Sequence, residues 1–185
     1  HDVRLGDNII KQVSDAYRKF RNSLRFMLSN VVDFDEANDA VTSWDDLDPI
    51  DQYMMVKTAR LVDDVTAAYD EYAFNSVYRL AYDFINDVSA VYMDVIKDRL
   101  YSEAQNSVRR RAAQTVLMNV IEVLVRILSP ILTFTTDEAW ESYPAAALAR
   151  EGRPESVQLA GWPTREDFVP ALPEDAQAFA DKFEK

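Results

Sequence analysis

Apolar residues recur at three- and four-residue intervals along most of this chain, the period of helices buried on one side. Ile9, Ile10, Val13, Ala16, Tyr17, Phe20, Leu24, Met27, Leu28 and Val31 make one broad stripe and predict a first helix from about Asp7 to Val31. An acidic stretch from Asp33 to Leu47 then breaks the pattern, with Trp44 as its one large anchor. The second helix has a marked start: Asp48 can cap, Pro49 suits the first helical position, and Asp51 adds negative charge to the first turn. Its apolar face runs through Ile50, Met54, Leu61, Val65, Ala68, Tyr69 and Tyr72. A third helical stretch from Phe74 to Arg99 carries Val77, Tyr78, Ala81, Phe84, Ile85 and Val88. Val91, Tyr92, Val95 and Ile96 continue its stripe beyond a break near Ser89. Ser102 and Gln105 have capping-box spacing and open a fourth helix, apolar from Val116 to Leu128 and ended by Pro130. Thr135 and Glu138 repeat that spacing before a short helix bearing Trp140.

Four long helices with short or modest linkers predict an all-α, up-down-up-down antiparallel bundle over residues 1–143. Residues 144–172 shift to Ala, Gly, Pro and charge, and read as a covering segment laid on the bundle. Their one apolar run, Val157 to Trp162, is the only place where a short strand pairing is expected, near Val157 to Leu159. Residues 173–185 begin another amphipathic helix (Ala178, Phe179, Phe183) that stops with the chain, as an excised fragment would.

Composition narrows the chemistry. The 185 residues are 48% apolar, enough for one real core, and three glycines leave long helices uninterrupted. With no cysteine, and His1 the only histidine, disulfides, thiolate nucleophiles, Ser–His pairs and histidine-bearing metal sites have no candidates. The most apolar stretch, Val120 to Phe134, contains Glu122, Arg126 and Pro130 and is too short to span a membrane. With no signal peptide visible, a cytoplasmic location is expected.

A net charge of −12 would disfavour nucleic acid if it were spread evenly. It is not. Eight acidic and no basic residues lie between Phe26 and Val56, while nine of the twenty Lys and Arg fall in residues 18–25 and 97–111. Phosphate contacts are local, so clustering matters more than the total. Antiparallel helices would bring Arg18, Lys19, Arg21 and Arg25 towards the bundle end that also holds Lys97, Arg99, Arg109, Arg110 and Arg111. Asn22, Phe26, Asn30, Tyr92 and Tyr101 accompany them. Guanidinium for phosphate, amides for base edges and rings for stacking suit single-stranded RNA loops. The plainer reading is solvated charge, with Phe20, Tyr92 and Trp140 in the core. The acidic linker belongs to the same end, either facing away from RNA or screening against wrong partners.

The run Tyr17-Arg18-Lys19-Phe20-Arg21-Asn22-Ser23-Leu24-Arg25-Phe26-Met27-Leu28-Ser29-Asn30 resembles the opening helix of the anticodon-binding domain of isoleucyl-tRNA synthetases. Ser89-Ala90-Val91-Tyr92-Met93-Asp94-Val95-Ile96-Lys97-Asp98-Arg99-Leu100-Tyr101 is similar to a second hallmark of that family. Gln114-Thr115, Pro130 to Thr135 and Glu138-Ala139-Trp140 match a third block, and Glu155-Ser156-Val157 with Trp162-Pro163 a fourth. The likeness covers roughly residues 7–163 in order. Valine enzymes share part of it, but Arg21 before Asn22 and Asp98 between Lys97 and Arg99 favour isoleucine. Gly6 departs from the family, which often has a capping serine there.

The resemblance implies a parent that activates isoleucine with ATP and transfers it to tRNA. The nucleotide-binding signatures that this chemistry needs do not occur here, so the chain is expected to bind and not to catalyse, with no cofactor or metal of its own. Its expected partners are the tRNA anticodon arm and the catalytic domain of the same parent chain. Arg18, Arg21, Arg25, Lys97 and Arg99 are expected at phosphates, with Arg109 and Arg110 on the same surface. Asn22, Asn30, Phe26 and Tyr101 are expected at unstacked bases. The alternatives are a valine-type sibling domain and, from another class, a helical protein-interaction module.

Overall fold

Each long segment carries an apolar stripe too wide to leave in water, and the stripes close on one core. The computed structural model describes residues 6–183, and among these there is no strand. In chain order the helices are α1 (Asp7–Ser29), α2 (Glu36–Asp39), α3 (Pro49–Asp70), α4 (Phe74–Asp87), α5 (Met93–Ser102), α6 (Val108–Leu128), α7 (Thr133–Glu141), α8 (Ala145–Leu148) and α9 (Ala176–Phe183). The bundle is formed by α1, α3, the α4–α5 pair and α6. α6 is its axis, buried on nearly every side from Arg111 to Leu128.

Several local signals act as the sequence suggests. Asp48 and Asp51 form the capping box at the start of α3, with Pro49 in its first turn. The Asp48 amide donates to Asp51 Oδ2 at 3.2 Å. Phe20, Tyr92 and Trp140 are all core residues. The break near Ser89 is a π-helical turn, Val88–Tyr92, which continues the backbone without interrupting it. From its first residue on, Val88, Tyr92, Ile96 and Leu100 face inward at four-residue steps, whereas Val91 and Val95, expected on that stripe, are exposed.

Other boundaries differ for identifiable reasons. α6 starts at Val108, where the Ser107 hydroxyl accepts from the Arg110 amide at 3.1 Å; Ser102 instead closes α5. Thr135 lies inside α7 with its hydroxyl 3.1 Å from that of Tyr17, so Thr135 and Glu138 cap nothing. Val157–Leu159 is a 3-10 turn capped by Ser156, not a strand. In the acidic linker Phe34, Val41 and Leu47 are the buried anchors, and Trp44 is only half-buried.

The covering segment adds Val157 and Phe168 to the main core. The Asn119 side chain of α6 binds it through the Val169 amide at 3.1 Å and carbonyl at 2.7 Å. α9 packs along α3, with Phe183 stacked on Tyr53 at 4.7 Å and Asp181 paired with Arg60.

Candidate nucleic-acid interface

On α1 the buried side is set by Ala16, Phe20, Leu24, Met27 and Leu28, which leaves Arg18, Arg21, Asn22, Arg25 and Ser29 on the outer side. Three- and four-residue spacing makes these five one continuous ridge. A groove flanks the ridge on each side. Towards the π-helical turn and α5 a cavity of about 540 Å³ is lined by Arg18, Asn22, Phe26, Ser89, Met93 and Lys97, among others. Towards α7 a cavity of about 390 Å³ is lined by apolar Leu24, Leu28, Val32 and Ala139 together with Arg21, Arg25, Glu138 and Ser142, among others. Half-buried Phe26 shows part of its ring to the first groove. Tyr101, exposed at the end of α5, stands one turn beyond Lys97.

The ridge cations are loosely held. Arg18 pairs with Asp15 at 3.5 Å, Arg21 with Glu138 at 3.5 Å, and Lys97 with Asp94 at 2.9 Å, all on exposed side chains. The hydrogen bond from Lys97 to Asp94 raises the lysine pKa and lowers that of the aspartate. Arg25 has no ion-pair partner among the described residues. Exposed pairs of this kind are worth little.

The arginines of the second basic segment behave differently, which corrects the expectation of a single cationic surface. Arg99 is only 5% exposed. It donates to Asp51 Oδ2 at 2.6 Å and pairs with Asp48 Oδ2 at 3.0 Å. The fully buried Tyr92 hydroxyl donates to the other Asp51 oxygen at 2.8 Å. Burial pushes the Asp51 carboxyl up, a push countered by the charge of Arg99 and the hydrogen bond from Tyr92. Arg110 is likewise turned inward, gripping both oxygens of Asp33 at 2.8 and 3.0 Å and donating to the carbonyls of Leu100 and Gln105. Its hydrogen bonds, joined by those of Gln114 and Gln105, hold the Asp33 carboxyl well below the usual carboxylate range despite partial burial. Arg111 joins this clamp through Asp33 and Asp39. Arg109 stays exposed but bridges Asp48 and Glu103. Asn30 serves the helix end, its side-chain amide donating to the Phe26 carbonyl at 2.8 Å and its own carbonyl accepting from Gln114.

Asp33 and Asp39 of the acidic linker therefore neutralise Arg110 and Arg111 of α6, while Asp48 and Asp51 at the start of α3 neutralise Arg99 of α5. The signal was present in the sequence as eight unpaired acids set against a separate basic cluster. Ser89, Met93 and Ser142, which complete the two grooves, had no such signal, because only packing brings them beside α1.

Residues 51–184 match the family described as the anticodon-binding domain of tRNA ligase, and the chain belongs to that family. Within it the similarity is to isoleucine–tRNA ligases. The chain is 49% identical over 163 residues to that of Moorella thermoacetica and 46% identical over 163 residues to that of Desulforudis audaxviator, covering 88% of this chain in both cases. Against that of Syntrophomonas wolfei it is 44% identical over 168 residues, 90% of this chain. The matched segment spans 17 to 18% of the length of these relatives.

Proposed function

We propose that this chain is the part of an isoleucine–tRNA ligase that holds the anticodon arm, leaving ATP use and amino-acid transfer to a catalytic domain elsewhere in the parent. The observation that carries this reading is the outer ridge of α1, where weakly paired arginines stand between two grooves lined in part by apolar side chains. Arg18, Arg21, Arg25 and Lys97 hold phosphates. Asn22 offers an amide to a base edge, and Phe26 and Tyr101 offer ring surface to bases turned out of the stack. Arg99, Arg110 and Asn30 act one step back, by fixing the ends of the helices that carry these groups.

A salt titration tests it. Four phosphate contacts give a log–log slope of binding against salt of roughly −3 for an isoleucine anticodon stem-loop, at about 0.7 per single-strand contact. Replacing Arg21 and Arg25 together flattens that slope by about half, whereas Arg165→Ala, which removes a surface pair with Asp63 on α3, leaves it unchanged. Asn22→Ala reduces discrimination between isoleucine and valine stem-loops at constant slope, because a neutral amide releases no counterion. Equal effects of the Arg21/Arg25 and Arg165 changes would mean that the ridge is solvated charge and no RNA site.

A further inference from the structure

Among the described residues, Glu138 is the one carboxylate in the groove between α1 and α7, where it shares the lining with Arg21 and Arg25. A surface that holds phosphate gains nothing from a lone acid, which repels the backbone that the arginines attract. Nor does the fold require it there. Glu138 lies in the last turn of α7, where the helix dipole favours a cation over an anion. It caps no helix, and among the described residues its carboxylate has only the 3.5 Å contact with Arg21. Both side chains of that pair are more than half exposed, at 55% and 66%, so the contact adds little to stability.

The backbone that carries Glu138 is nevertheless fixed. The Ser142 hydroxyl donates to the Glu138 carbonyl at 2.8 Å, and the neighbouring Ala139 is buried. One turn earlier, the Thr135 hydroxyl lies 3.1 Å from that of Tyr17 on α1. The carboxylate is thus an acceptor on an anchored wall, across the groove from the arginines of α1. The cavity of about 390 Å³ falls within the range of about 300–1,000 Å³ of pockets that enclose a small ligand. Leu24, Leu28 and Val32 supply apolar contact for a flat ring. An ionised carboxylate only accepts hydrogen bonds, through two oxygens side by side. Among the four bases, guanine alone has two adjacent N–H donors on its Watson–Crick edge, at N1 and the 2-amino group. Adenine and cytosine set one amino group beside an acceptor, and uracil sets one N–H between two carbonyls.

We propose, on the strength of the function given above, that Glu138 is a specificity-determining residue. The groove between α1 and α7 takes an unstacked guanine of the RNA loop, whose N1–H and 2-amino group donate to the two carboxylate oxygens. Arg21, released from Glu138, holds a phosphate beside the bound base.

The test measures binding of the 185-residue chain to an isoleucine anticodon stem-loop, and to versions in which each loop guanine in turn is inosine. Inosine keeps N1–H and lacks the 2-amino group. Wild type should bind one inosine version about tenfold more weakly, the loss of one charge-assisted hydrogen bond. Glu138→Gln, at an exposed position and folded by circular dichroism, should bind the guanine loop about tenfold more weakly. Its preference for guanine over inosine should fall below about twofold, with the salt slope of wild type, because no phosphate contact is lost. Arg21→Ala should weaken both loops alike and keep the preference. Tighter binding of both loops by Glu138→Gln would overturn the proposal, since the carboxylate would then only repel phosphate. So would a guanine preference that survives Glu138→Gln or disappears with Arg21→Ala. If wild type binds the guanine loop and every inosine loop equally, with a steep salt slope, the assignment of Glu138 fails and the function above stands. If it binds none of them, both fail.

Discussion

Arg21, in the interior of α1, and Arg99, in the last turn of α5, are the same residue type in opposite surroundings. Arg21 lies on an outer face with one long contact to Glu138; Arg99 lies between two carboxylates, one of which also accepts from the Tyr92 hydroxyl. A buried pair of this sort stabilises little beyond a well-packed apolar substitute, but removing one partner leaves an uncompensated charge. Arg99→Ala should therefore cost about 3–5 kcal/mol in urea unfolding, and Asp51→Asn in the same chain should recover part of that loss. A cost below about 1 kcal/mol together with a flatter salt slope would instead return Arg99 to the RNA-facing surface.

At the scale of elements, the π-turn and α7 place the groups that line the grooves. The turn at Val88–Tyr92 is what lets one long stretch present Val77, Ala81 and Ile85 inward before it and Ile96 and Leu100 after it. It also sets Ser89 and Met93 beside Phe26. α7 walls the other groove and is held from behind by the covering segment. The Trp140 indole donates to the Pro154 carbonyl at 2.9 Å, and the Arg153 guanidinium lies 3.8 Å above its ring. Trp140→Ala should cost about 3–5 kcal/mol by chemical denaturation, a large buried ring being replaced by a cavity. The stem-loop salt slope should persist wherever the variant remains folded. A loss under about 1 kcal/mol would mean that α7 is not anchored through this ring.

For the whole molecule, the net charge of −12 hides a division of labour. Asp33 and Asp39 of the linker neutralise Arg110 and Arg111, and Asp48 and Asp51 neutralise Arg99, whereas Arg18, Arg21 and Arg25 of α1 stay exposed. This makes the fold sensitive to acid in a defined sense. The folded state lowers the pKa of Asp33, chiefly through Arg110, so its stabilisation is complete above the ordinary aspartate value of about 4. It is lost as pH falls below that value towards the depressed folded one. Thermal melts of wild type and Asp33→Asn should differ most above about pH 5 and converge on acidification below about pH 4. A constant difference across that range would show that the clamp does not depend on the carboxylate charge.

Much of the fold was legible because helices are written in local periodicity. The stripes of α1, α3 and α6, the Asp48–Pro49–Asp51 start and the burial of Trp140 follow from spacing alone. The outer ridge of α1 was legible for the same reason, since fixing the apolar side of a helix fixes its polar side. The fate of the second basic cluster was not. Whether Arg99 or Arg110 meets solvent or a carboxylate depends on residues about fifty to eighty positions away, brought together by the path of the acidic linker. The apolar start of α1, where Ile9, Ile10 and Val13 stay exposed, was misjudged from the opposite direction: periodicity shows that a face seeks a partner but not whether the chain supplies one. The sequence by itself determined the helices, the order of their faces and the family. Only the tertiary structure decided which charges are neutralised inside, which stay exposed and which apolar face is left uncovered, because those outcomes are set by long-range contacts that no local pattern encodes.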